Sequence, residues 1–180
     1  MKKIWISSTL IFVAIVSLLN FQSCTTDCNR LKYRLRSLIA QCKKVNDKTV
    51  YVPDNAGIRY DSLVIDISHD LARVTKGDAC DEPIIFDELR IVTVTSSQDY
   101  TADLPKGSNL SGIMEATFGL GGRPENFESI LSDKKVGFGN EYYTFLVPPS
   151  EDKFHNITIT YILNDRRNFS RTIENLLIRK

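Results

Sequence analysis

The chain has 180 residues, and its 23 Lys and Arg against 22 Asp and Glu give a formal net charge of +1 at pH 7. So even a balance provides no basic footprint for nucleic acid and no polybasic patch for anionic lipid. The only histidines, His69 and His155, stand 86 positions apart with no paired-cysteine spacing, so neither a metal centre nor a cofactor is expected.

Lys2 and Lys3 precede an apolar run from Ile4 to Leu19, broken only by Ser7, Ser8, Thr9 and Ser17. This is the pattern of an export signal. Its 16 residues fall short of the roughly 20 needed to cross a bilayer. The run leads into Phe21-Gln22-Ser23-Cys24, which resembles a lipobox of the permissive kind found in Bacteroides-type bacteria. The resemblance implies cleavage before Cys24 and lipid on its thiol, with ordinary signal-peptidase cleavage and a structural Cys24 as the competing reading. Each buried CH₂ of an acyl chain contributes about 0.8 kcal/mol to membrane binding, so several chains would hold the protein there permanently. The expected layout is a signal peptide over 1–23, a lipidated tether over 24–30 and a single domain over 31–180, anchored in the cell envelope. The outer membrane, on its periplasmic or surface face, is the expected location. Removing residues 1–23 leaves 157 residues with 21 basic against 22 acidic, the size of one ordinary domain.

Within that domain Leu31, Tyr33 and Leu35 alternate with Lys32, Arg34 and Arg36, a period of two that predicts a strand running to about Gln41. Residues 43–48 read as a turn, Thr49 to Val52 as a short β-prone piece, and Pro53 to Gly57 as a break. Tyr60, Leu63, Ile65 and Ile67 carry the next strand, residues 69–83 a loop, and the β-branched Leu89 to Ser96 another strand. A polar loop covers Ser97 to Ser111. Gly119, Gly121 and Gly122 exclude a helix there, whereas Pro124, the acids after it and the apolar spacing of Phe127, Ile130 and Leu131 predict one short helix at 124–132. Tyr142 to Val147 is a strand ended by Pro148-Pro149. A hairpin follows, with Ile157, Ile159, Tyr161 and Leu163 alternating before Asn164-Asp165 and a last strand from Phe169 to Ile178. Six or seven strands without long helices predict a mainly β fold, an antiparallel immunoglobulin-like β-sandwich with one short helix. A small barrel is the alternative.

With Cys24 assigned to lipid, Cys28, Cys42 and Cys80 remain in a compartment where disulfides persist. Three thiols allow one bridge and one leftover. Cys28 with Cys80 is favoured because both sit in connecting segments, and Cys42 with Cys80 stays open, although Cys42 ends an apolar stretch and fits a buried small hydrophobe.

Three stretches together, Gly77 to Pro83, Leu89 to Ser96, and Asp99-Tyr100 with Leu104 to Leu110, resemble a family of uncharacterised lipoproteins of Bacteroides-type bacteria. The closing hairpin with Phe154, Ile157, Ile159, Tyr161 and Phe169 fits the same pattern, so the likeness spans residues 24–180. It implies a single exported β-domain behind a lipobox and supports a bridge involving Cys80. It implies no active site.

No catalytic constellation emerges. Gly119-Leu120-Gly121-Gly122 lacks dinucleotide spacing, no Gly-x-Ser-x-Gly occurs, and His69 beside Asp70 reads as a strand-end polar pair. Asp78, Asp81 and Glu82 read as a solvated acidic loop rather than a calcium site. Asp61-Ser62-Leu63 resembles the short O-glycosylation sequon of exported Bacteroides-type proteins, which makes Ser62 a candidate. Tyr100, Tyr142 and Tyr143 are candidates for a partner-binding surface. The expected function is a membrane-tethered, non-catalytic binding or accessory module for a protein or glycan. A structural subunit of an envelope complex, or an enzyme with an unrecognised site around His69 or His155, are the alternatives.

Overall fold

The computed structural model describes residues 31–45, 50, 51, 53–75, 84–119, 122–127, 136 and 139–180. Two sheets enclose one core. The larger is built on β1 (Lys32–Lys44), whose register against β4 (Leu63–Arg73) runs from Tyr33↔Arg73 to Lys44↔Leu63. β9 (Glu141–Phe145) and β7 (Met114–Phe118) continue it, with the two-residue strands β2 (Val50–Tyr51), β5 (Ile84–Ile85) and β8 (Glu125–Asn126) on its margins. The smaller sheet has the order β3-β11-β10-β6, from β3 (Ile58–Arg59), β11 (Asn168–Arg179), β10 (Lys153–Leu163) and β6 (Leu89–Ser96). Among the described residues the strand pairings are antiparallel except β5 on β1 and β3 on β11.

Alternation explains most of this. In β10, His155, Ile157, Ile159, Tyr161 and Leu163 are buried while the residues between them are not. Full burial of such an aliphatic side chain contributes about 1.5–3 kcal/mol. On the outer face, Thr158 meets Thr172 at 2.9 Å and Thr160 meets Ser170 at 2.8 Å, cross-strand hydroxyl pairs that suit a solvated β surface. In β1 the period breaks once. A bulge at Arg36, between Leu35 and Ser37, shifts the inward set so that Leu38 and Cys42 join Leu35 in the core.

Two expectations change here. The segment 69–83 does not begin as a loop, because β4 continues to Arg73. Residues 124–132 do not begin as a helix, because Glu125–Asn126 pair with Ala116 and Glu115 of β7, and residues 128–132 lie outside those described. At Gly57, with φ 68°, an added Cβ would lie 2.7 Å from Leu177 Cγ, so the turn into β3 needs glycine.

The registers also sort the loops. Leu31, the end of β4, the start of β6 and the 164–167 hairpin lie at one end, where Arg167 links to Asp87 and to the Leu35 carbonyl. The other end gathers 53–62, 97–111 and 146–152, where Tyr100 donates to the Val147 carbonyl at 2.9 Å and Arg179 meets Asp152 at 3.3 Å.

Candidate functional site

At the centre of the core lies a carboxylate. Glu141, paired with Ile67 of β4, points inward because β9 alternates Glu141, Tyr143 and Phe145 toward the core. Its Oε2 accepts the hydroxyls of Tyr143 and Tyr161 at 2.5 Å each, and Oε1 lies 3.4 Å from His69 Nε2. The His69 and Glu141 side chains are each 1% exposed. Tyr161 comes from the smaller sheet and the other three from the larger, so the cluster ties the sheets together. Burial first, then neighbouring groups including the Glu141 carboxylate, pushes both tyrosine hydroxyls well above their ordinary range. They therefore remain donors. Acid–base chemistry on a substrate needs a path to these atoms, and the His69 and Glu141 side chains are each almost wholly buried, with none of the four lining either of the two grooves described below.

A second buried pair sits toward the loop-rich end. Ser96 Oγ lies 2.7 Å from His155 Nδ1, with Tyr100 tilted 5.7 Å from the imidazole and stacked at 5.1 Å on Phe145. Ser96 Oγ also accepts the Gln98 N–H at 3.1 Å, so its own proton is available to Nδ1. Burial, then the charge of Lys153, lowers the His155 pKa below 6.5, which keeps the ring neutral. An activated serine needs exposure and a group that orients its histidine. Ser96 is buried, and His155 Nε2 has no partner among the described residues.

The residues singled out in the sequence are thus separated. Tyr100 and Tyr143 are fully buried, so as partner-binding candidates they are corrected to core residues. Tyr142 is half-buried on the outer face of β9, opposite Asp66 of β4, whose carboxylate holds Lys43 at 2.6 Å. His69 and Asp70 form no pair of their own: His69 turns to Glu141, and Asp70 accepts from Ser37 at 3.3 Å. Ser62 closes a 3₁₀ turn over Tyr60–Ser62 and donates to Asp61 at 3.1 Å. Cys42 is a free thiol in the core, which removes its pairing with Cys80, and burial pushes its pKa up to about 12. Cys24, Cys28, Cys80 and the acids Asp78, Asp81 and Glu82 lie outside the described residues.

Two surface features were missed from the sequence. One is a cleft of about 200 Å³ beside Arg34, Phe86 and Asp165, where the Arg34 guanidinium lies 4.6 Å from the Phe86 ring centroid. Beneath it Asp87, with its side chain 3% exposed, pairs with Arg167 and accepts the Leu35 N–H at 2.6 Å. The other is a groove of about 300 Å³ lined by Ser37, Leu38, Ile39, Phe169, Ser170 and Arg171. No signal in the sequence joins residues 130 positions apart. Glu141 was legible in principle, as an acid at the inward parity of a strand. No family model, no curated protein and no solved structure matches the chain.

Proposed function

We propose that the protein is a lipid-anchored, extracytoplasmic binding module, carried on an immunoglobulin-like sandwich and held at the outer membrane through Cys24. The reading rests on the Ser23-Cys24 site behind an apolar run and on the place where the domain begins. Leu31 enters β1 at the Asp87–Arg167 end, so a tether of residues 24–30 leaves the loops 53–62, 97–111 and 146–152 facing away from the membrane. Leu146 at 52% and Val147 at 38% exposure stand among those loops. Repeated crossing of the chain between the two sheets supports the immunoglobulin-like arrangement, and the titratable pairs sealed in the core support binding over catalysis. The partner is a protein or a glycan of the envelope, and Ser62 is a candidate glycan acceptor at the same end.

Intact mass analysis of the protein from its native membrane tests the anchor. A species that begins at Cys24 and carries two or three acyl chains is expected, and Cys24→Ser should release the chain into the soluble fraction. An unmodified Cys24 on a soluble species would refute the anchor.

A further inference from the structure

The open edges of the two sheets meet along the groove between β1 and β11. β4 occupies one side of β1 throughout, and the other side is taken by β5 at Lys32 and Tyr33 and by β2 at Cys42 and Lys43. Between these, Leu35 is satisfied by side chains: its N–H donates to Asp87 and its carbonyl accepts from Arg167 at 3.3 Å. Past the bulge at Arg36, no strand among the described residues pairs with Ser37 to Gln41 on the side away from β4. β11 has β10 along one side and β3 at Ile178 and Arg179 on the other, so residues 168–177 are open on the groove side among the described residues. The floor is apolar, with Leu38 5% exposed and Phe169 packed on the core, and Ile39 is 43% exposed at the rim.

Charge selects the occupant. β1 carries Lys32, Arg34, Arg36, Lys43 and Lys44 and no acidic residue, but Arg36 meets Asp70 at 3.8 Å, Lys43 meets Asp66 at 2.6 Å and Arg34 lies over Phe86, so the charge that lines the groove is that of Arg171. Basic residues on an edge strand commonly serve only to repel other strands, and here they would repel a second β1 edge. They do not repel an acidic one. Across the groove, exposed Arg171 makes no ion pair among the described residues. An unpaired main-chain edge, apolar side-chain seats and an uncommitted guanidinium are the elements of strand addition. We propose that the groove receives an extended acidic peptide, which adds a strand to the β1 edge with one carboxylate on Arg171. This deepens the binding-module reading and rests on it, but does not depend on the lipid.

The test is selection of a random octapeptide display library on the full chain purified in detergent. Fluorescence polarisation of the enriched peptides then follows against wild type, Arg171→Glu and Ile39→Lys, each verified by its thermal midpoint. Acidic peptides with alternating side chains are expected, weakened about tenfold or more by either substitution. Exchanging the critical acid for lysine should restore binding to Arg171→Glu. N-methylation of alternate peptide amides should abolish binding in one phase and spare it in the other, which a contact through side chains alone would not produce. Failure to enrich any peptide, enrichment without acidic bias, or affinities unmoved by both substitutions would overturn the proposal. An envelope partner that binds Arg171→Glu and Ile39→Lys as well as wild type would overturn the groove while leaving the binding-module reading in place.

Discussion

The Glu141 carboxylate and the His155 imidazole are both costly to bury in a β core, and the two are accommodated differently. Glu141 takes two tyrosine hydroxyls from opposite sheets, which offsets desolvation by charge-assisted hydrogen bonds and fixes the two sheets in one relative position. His155 takes the cheaper course of staying neutral, with its Nδ1 on Ser96. The folded state then binds a proton more weakly than the unfolded chain, whose imidazole titrates near 6.5. Stability from this group is therefore complete above that value and falls as pH drops from 6.5 through the lowered folded pKa. Thermal midpoints measured from about pH 8 to pH 5 should decline for the wild type. In His155→Asn, which keeps an acceptor for Ser96, the midpoint should start lower and decline less. An equal decline in both would remove His155 as the titrating group.

At the scale of elements, the strands readable in the sequence are those that keep a long alternating stretch despite a bulge: β6 falls at Leu89–Ser96, and β10 and β11 form the expected hairpin. Where the period is interrupted, local reading fails for identifiable reasons. β4 passes through His69-Asp70 because Glu141 and Ser37 receive those side chains from other strands. β3, β5 and β8 are two residues each, too short for any period. Tyr100 sits in a polar loop, yet its ring reaches Phe145 and its hydroxyl the Val147 carbonyl. The β1 bulge is held by the same kind of long-range contact, since Asp87 and Arg167 take the Leu35 amide and carbonyl. Arg167→Met should strand the buried Asp87 carboxylate and cost about 3 kcal/mol, the low end for a broken buried pair because the Arg167 side chain is one-third exposed. In urea unfolding, Asp87→Asn combined with Arg167→Met should cost clearly less than the two single changes together. Additive losses would show that the pair does not act as a unit.

For the molecule as a whole, the decisive property is that one core serves both sheets. Tyr143 and Tyr161 join them through Glu141 at the centre, Arg167 joins them at the end where β1 starts, and Tyr100 joins them at the other. A domain so connected should unfold as a unit rather than sheet by sheet. Cys42 provides the probe, because it lies on β1 close to the open edge yet is only 2% exposed, with a thiol pushed up to about 12. If β1 could peel away by itself, this thiol would react first; if the core opens only as a whole, Cys42 is protected to the full unfolding free energy. Alkylation by iodoacetamide, followed on the Cys42 peptide by mass spectrometry, should be at least about a thousandfold slower in the native protein than in the unfolded chain. Its acceleration with urea should follow the loss of the β circular-dichroism signal. Reaction at urea concentrations well below that transition would mean that β1 detaches separately. The groove edge from Ser37 to Gln41 would then be a mobile flap, unable to template an incoming strand.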